Sequence, residues 1–298
     1  MTGIHAEHGH VAVLRPAICL VADLCLHVAA GVLALGWATS RLLDFPAWPC
    51  APLWLAGALL VYTANRICPD PADPINRPER LCLDGWVPRA RIGILIASGC
   101  VVVAWPLVHG DWTLFLGATG AAGVGLAYVM RVPGLCRLKD LPAAKTFIPA
   151  TVVSAVILYP ALGRGIALGE IGPCAAWLLC LTCFNAMLCD HLDRAGDAAT
   201  GVRTLPVLLG ERMTRVVLWL LVAAVFGCAI GAGVTIQGRR GAAWLCVSLS
   251  VPTYLALLLA RIPRVGCSCV RECWIEGMLF VPAIAIGVAK IMGSATGL

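Results

Sequence analysis

Asp190, Asp193 and Asp197 stand at positions i, i+3 and i+7 of the segment Cys189-Asp-His-Leu-Asp-Arg-Ala-Gly-Asp197. On a helix of 3.6 residues per turn this spacing stacks three carboxylates down one face. Carboxylates so close repel one another unless a cation lies between them. An all-oxygen donor set suits Mg²⁺, which binds through a few carboxylates together with substrate phosphates. The alternative for this stretch is a solvated helix end whose acids pair with Arg194 and Arg203.

A second polar stretch lies well upstream, running from Asn65 through Asp70 and Asp73 to Arg80. Two acidic clusters meeting at one face can hold Mg²⁺ ions around a diphosphate. That neutralises a leaving group and makes its departure from an allylic carbon feasible. Arg77, Arg137, Lys139, Lys145 and Arg203 are the candidate cations to complete the charge compensation on the diphosphate, the alternative for about half of them being ordinary positive-inside anchors.

Elements that could position such groups must lie in a membrane. The 298 residues are 60% hydrophobic and only 13% charged, with a mean hydropathy of +0.89, far too apolar for a soluble domain. Apolar runs long enough to cross a bilayer recur at about 17–40, 50–67, 91–109, 113–131, 144–162, 172–190, 213–235, 242–261 and 272–292, which predicts nine spans. Residues 1–16, with His5, His8 and His10 but no signal-peptide pattern, read as a mobile tail, 17–292 as one membrane domain, and 293–298 as a short second tail.

Most of the 22 Lys and Arg residues fall in the amino-terminal tail and the second, fourth, sixth and eighth connections. The positive-inside rule then puts the amino terminus and the acidic clusters on the cytoplasmic side of the cell membrane and the carboxyl end outside. The net charge of +6 is accounted for by loops facing an anionic leaflet, with no call for nucleic acid. The sixteen cysteines are scattered through apolar runs, as small buried hydrophobes are.

The chain resembles the UbiA superfamily of intramembrane prenyltransferases. Members carry an Asn/Asp-x-x-x-Asp-x-x-x-Asp motif after the second helix, often running on into Asp-x-x-Asn-Arg-Pro-x-Arg, and Asp-x-x-Asp-x-x-x-Asp after the sixth, often followed by Gly-x-x-Thr-Leu-Pro. The counterparts are Asp73-Pro-Ile-Asn76-Arg77-Pro78-Glu79-Arg80, the Asp190 triad, and Gly201-Val-Arg-Thr204-Leu205-Pro206. Tyr128 and the basic segment from Arg131 to Lys145 resemble the stretch that opens the family's fifth helix.

The resemblance implies an all-α, nine-helix bundle around a lipid-facing chamber. It implies Mg²⁺ on Asn65, Asp70, Asp73, Asp190, Asp193 and Asp197, with Asp73, Asp190 and Asp193 central to catalysis, and diphosphate held by Arg77, Tyr128, Arg137, Lys139, Lys145 and Arg203. The substrates it implies are an isoprenyl diphosphate and an aromatic or other lipophilic acceptor. One departure is plain: the middle acid of the first motif falls on Pro69, with Asp70 one residue late. Pro69 and Pro71 should end the helix there, so either Asp70 reaches the site from an extended turn, or the site holds one carboxylate fewer, binds magnesium less tightly or is retuned toward another reaction. Cyclisation of the diphosphate without an acceptor, and a non-catalytic transporter or scaffold, are the alternatives.

Charge inside a span is costly and marks either a pathway or a paired site. Glu276 and Asp23 are therefore further candidates to deprotonate or orient an acceptor. For Asp23 the competing expectation is that it satisfies His27, one helical turn away. Trp37, Trp54, Trp105 and Trp177 lie in or near spans, where they serve either a cation-stabilising chamber or interfacial anchoring.

Overall fold

The computed structural model describes residues 17–68, 70–77, 85–130, 137–236, 238–262 and 268–295. The expectations for residues 1–16, Pro69, Pro78–Arg80, Arg131 and 296–298 lie outside them.

The described residues are helical, joined by turns. In chain order they form α1 (Ala17–Asp23), α2 (Leu26–Leu42), α3 (Ala51–Ile67), α4 (Asp73–Asn76), α5 (Val87–Val108) and α6 (Trp112–Val129). These are followed by a 3-10 turn (Leu138–Asp140), α7 (Ala144–Gly163), α8 (Leu168–Ala199), α9 (Leu205–Thr235), α10 (Gly238–Arg261), α11 (Ser268–Gly277) and α12 (Val281–Ala295).

Helix boundaries follow local chemistry. Prolines occupy the first turns of α3, α4, α5 and α9, where an absent N–H costs nothing. The Asp111 carboxylate accepts from the Leu114 N–H at 2.9 Å and caps α6. α9 is bent at Gly210, whose φ of 74° a residue with a Cβ would adopt at a cost.

Among the described residues, six helices are long and apolar enough to cross a membrane, α5 to α10, or up to eight if each of two bent pairs is one span. The pairs are α1 with α2, bent by 66°, and the α11–α12 pair, bent by 45°. The expected count of nine is therefore not reached on length and apolarity. The 17 residues of α3 stand at the lower limit for crossing about 30 Å of hydrocarbon at 1.5 Å per residue.

α8 runs on beyond the expected sixth span to Ala199, so all three aspartates stand on one helix, as their spacing predicts. α8 packs against α7 and α9, and α3 against α2, α5 and α6, while α12 closes the bundle by meeting both α10 and α2. Trp177, Trp244, Phe184 and Leu181 fill the interior beside α8. Ile92, Ile96 and Val103 of α5 and Trp219, Leu220 and Phe226 of α9 point outward, as lipid-facing side chains do.

Candidate active site

On α8 the three aspartates share one face, and each meets a partner supplied by another element. Asp190 is 4% exposed and accepts from the Thr146 hydroxyl of α7 at 2.7 Å. Asp193 accepts from Arg77 Nη2 at 3.0 Å. The carboxylate of Asp197, fully buried, takes Lys145 Nζ at 2.9 and 3.0 Å, one contact to each oxygen. The cations expected as alternative partners are engaged elsewhere or outside: Arg194 pairs with Glu211, and Arg203 is exposed.

The first motif lies against this helix. α3 stops at Ile67, and the chain then turns through Asp70 into the four-residue α4. Asp73 Oδ2 accepts from the Asp70 N–H at 2.9 Å, closing that turn. Asn65 Oδ1 accepts from Lys139 Nζ at 3.1 Å, and the same ammonium lies 3.2 Å from Asp70 Oδ2. Asp70 thus approaches from a non-helical turn, as the prolines require.

Asn76 Oδ1 accepts from the Gly196 N–H at 3.1 Å. A Cβ on Gly196 would collide with the Asn76 amide, so glycine is what allows α4 to lie so close to α8. This contact and the Arg77–Asp193 pair bring the two acidic stretches to the same end of the bundle.

A third polar group, on α11, was missed in the sequence. Glu272 Oε1 accepts from Arg66 Nη2 at 2.5 Å and Arg77 Nη1 at 3.3 Å, bridging the end of α3 to the segment after α4. Burial works against the charge on Arg77, but Glu272 and Asp193 outweigh it and hold the guanidinium above the usual arginine range. At Lys139 the balance is reversed: burial pushes the ammonium down and Asp70 restores only part of the loss. One turn below Glu272, Glu276 is 5% exposed and accepts from Asn185 Nδ2 of α8 at 3.3 Å. The one available signal was that Glu272 and Glu276 stand four residues apart, on one helical face.

These groups surround the mouth of a cavity of about 220 Å³. Asn65, Arg66, Arg77, Tyr128, Lys145, Asp190, Asp193, Glu272 and Glu276 line its polar end. Below them the wall becomes apolar, with Gly57, Ala58, Val61, Val153 and Val156, down to Trp54 and Leu279. Tyr128 donates to the Lys145 carbonyl at 3.4 Å, steadying the start of α7. Arg137 and Lys139, each 4% exposed, are packed beside the mouth rather than on the cavity wall, with Arg137 held by Asp140.

Three sequence expectations are corrected. Arg203 does not line the cavity: its side chain is exposed, and its carbonyl accepts from the Ala143 N–H. Asp23 is buried but away from the cavity, and its carboxylate takes Arg91 of α5. The 66° bend after Asp23, with Cys25 in the left-handed conformation, also removes the shared helical face with His27. Of the four tryptophans only Trp54 lines the cavity: Trp37 lies under Arg41, Trp105 donates to the Pro49 carbonyl, and Trp177 packs edge-on against Trp244.

Residues 24–266 match the UbiA prenyltransferase family. The chain belongs to this family. Among relatives of this prenyltransferase, the digeranylgeranylglyceryl phosphate synthase of Thermococcus kodakarensis is 29% identical over 209 residues, which is 68% of this chain and 69% of the relative. The synthase of the same name from Natronomonas pharaonis is 25% identical over 221 residues, covering 74% and 76%. In fold, the prenyltransferase is similar to the apo structure of a UbiA homolog from Aeropyrum pernix K1, with a TM-score of 0.65 at 16% identity over 90% of this chain and 98% of that one.

Among the described residues of the prenyltransferase, no three His, Cys, Asp or Glu side chains are gathered closely enough to hold a metal by themselves. The donors nonetheless fit Mg²⁺ in kind. All are carboxylate or amide oxygens, and the buried Asp70 Oδ1 has no hydrogen-bond donor, its Arg137 neighbour standing 4.0 Å off. Lys145, Arg77 and Lys139 sit on oxygens of Asp197, Asp193 and Asp70 as internal counter-ions.

Proposed function

We propose that this prenyltransferase ionises an isoprenyl diphosphate with Mg²⁺ and transfers the prenyl group to the hydroxyl of a lipid acceptor of the glyceryl phosphate type. The observation that carries the reading is the cavity itself, where an acidic and cationic mouth opens onto a largely apolar shaft. Asn65, Asp70, Asp73, Asp190, Asp193 and Asp197 are the proposed metal ligands, with the cytoplasmic end of the bundle as their location. The acceptor class is carried by the similarity to the archaeal synthases, and it replaces the aromatic acceptor as the first to try.

The chemistry supplied by bound Mg²⁺ is neutralisation of the departing diphosphate. Arg77, Lys145 and Tyr128, on the cavity wall, bind and orient the diphosphate, with Lys139 and Arg137 beside them. Their release from Asp193, Asp197 and Asp70 frees carboxylate oxygens as the diphosphate takes their place. The bond from C1 to the bridging oxygen breaks, and its electron pair leaves with the diphosphate. The apolar shaft keeps water from the allylic cation. As the acceptor oxygen bonds to C1, Glu276, oriented by Asn185, accepts the proton from the acceptor hydroxyl.

Purified protein incubated with Mg²⁺ and geranylgeranyl diphosphate, with and without geranylgeranylglyceryl phosphate or a phenolic acceptor, followed by mass spectrometry of the extract, tests this. A doubly prenylated glyceryl phosphate, made only when that lipid is present, is the expected product. A phenolic adduct would move the acceptor back to the aromatic class. A hydrocarbon or prenyl alcohol made without acceptor, and no adduct with either, would replace transfer by cyclisation.

A further inference from the structure

We infer that Trp54 is the floor of the shaft and sets the longest donor this enzyme accepts, an inference that rests on the proposed prenyl transfer. α3 lines one side of the cavity from Leu53 up to Arg66, with Trp54 twelve residues below Arg66. The twelve-residue separation is about 18 Å at 1.5 Å per residue. The α8 side agrees, because Thr182 to Asp193 spans eleven residues, or about 16 Å. An extended isoprene unit adds roughly 5 Å by ordinary carbon–carbon bond lengths. The shaft therefore holds three to four units below a diphosphate at the mouth.

Trp54 is suited to be a rigid stop. It is 1% exposed, and its indole N–H donates to the Val156 carbonyl of α7 at 3.3 Å. Phe45 packs edge-on against it, and the ring lies on Gly36 of α2 so closely that a Cβ there would collide with it. The indole thus crosses from α2 to α7 and cannot swing aside without breaking contacts on both. Three residues further along α3 the opposite holds. Gly57 lines the shaft, and a Cβ built there meets no atom within 4 Å. A side chain at 57 would enter the shaft about 4.5 Å above the tryptophan, nearly one isoprene unit.

Two variants of the full-length protein move the floor in opposite directions, Trp54→Ala down and Gly57→Phe up. Each is assayed with geranyl, farnesyl, geranylgeranyl and geranylfarnesyl diphosphates under Mg²⁺ and the lipid acceptor. In parallel, the thermal shift given by the matching thiolodiphosphates, which do not ionise, reads binding alone. In Gly57→Phe the geranylgeranyl-to-geranyl ratio of kcat/KM should fall at least about tenfold, and in Trp54→Ala the geranylfarnesyl-to-geranylgeranyl ratio should rise by a similar factor. The length of thiolodiphosphate giving the largest shift should move the same way.

Turnover with donor ratios unchanged in Gly57→Phe would overturn the floor and leave the proposed transfer standing, since the tail would then leave the shaft sideways. A length cutoff in binding that moves with the variants, in a protein that turns over no donor, would keep the floor and overturn the transfer. No stabilisation by any thiolodiphosphate overturns the inference. If Trp54→Ala does not fold, Gly57→Phe decides, because open space at 57 and loss of a helical glycine both favour its folding.

Discussion

Replacing Gly196 by alanine sets two effects of known sign against each other. In the last turn of α8 the substitution should stabilise the helix by at most about 1 kcal/mol, because glycine is the poorer helix former. The new Cβ, however, falls on the Asn76 amide, whose oxygen holds the Gly196 N–H. If α4 stays in place, overpacking costs about 1–3 kcal/mol. If it retreats, the lost hydrogen bond costs about 1 kcal/mol. A four-residue helix is the part that gives way, so the melting temperature should change little.

Activity should not be spared, because α4 carries Asp73 and positions Arg77 against Asp193. Displacing such groups by about 1 Å lowers rates on the order of 100-fold. The measurement is kcat/KM for diphosphate release at saturating Mg²⁺, beside a thermal melt in the same detergent. Asn76→Ala, which loses the bond without the collision, should cost about tenfold, the rate equivalent of roughly 1.4 kcal/mol. A Gly196→Ala protein with wild-type kcat/KM and a higher melting temperature would refute the reasoning, since it would mean that the contact between the two acidic stretches has no bearing on the chemistry.

Asp190→Asn and Asp193→Asn should each raise the Mg²⁺ concentration needed for half-maximal rate, read from a metal titration after chelation, and chelation of the wild type should abolish turnover until Mg²⁺ is restored. Glu272→Gln leaves Arg66 and Arg77 facing each other across the cavity mouth, and the loss of stability should be about 3 kcal/mol, as for other broken buried pairs, visible as a lower melting temperature. Glu276→Gln should lower kcat with little change in donor KM and remove the acid limb of the pH–rate profile, whereas a purely structural role would leave that profile in place. Arg203→Ala should keep kcat/KM within about twofold of wild type, because an exposed side chain outside the cavity contributes little to transition-state stabilisation.

Apolar composition and the lengths of the apolar runs determined that the chain is a membrane helix bundle, because a bilayer leaves the backbone few other ways to pair its hydrogen bonds. The i, i+3, i+7 spacing of Asp190, Asp193 and Asp197 was enough to put them on one face of α8, since helical geometry is local. The prolines around Asp70 likewise told that it approaches from a turn, as φ restriction acts on the residue itself.

What depended on packing was not legible. Whether Asp23 faced His27 or Arg91 was decided by a bend at Cys25 that no propensity marked. The partners of the acids, Lys145, Arg77 and Thr146, come from elements tens to more than a hundred residues away, and Arg203, adjacent in sequence to the second motif, was turned outward. Glu272 gained its place only because α11 lies against α2 and α8, where one carboxylate can reach two arginines. Residue type and spacing fix what a side chain can do within a turn or two of its own helix. Which distant charge it meets, and how deep the shaft below it runs, are set by the angles at which helices cross and break.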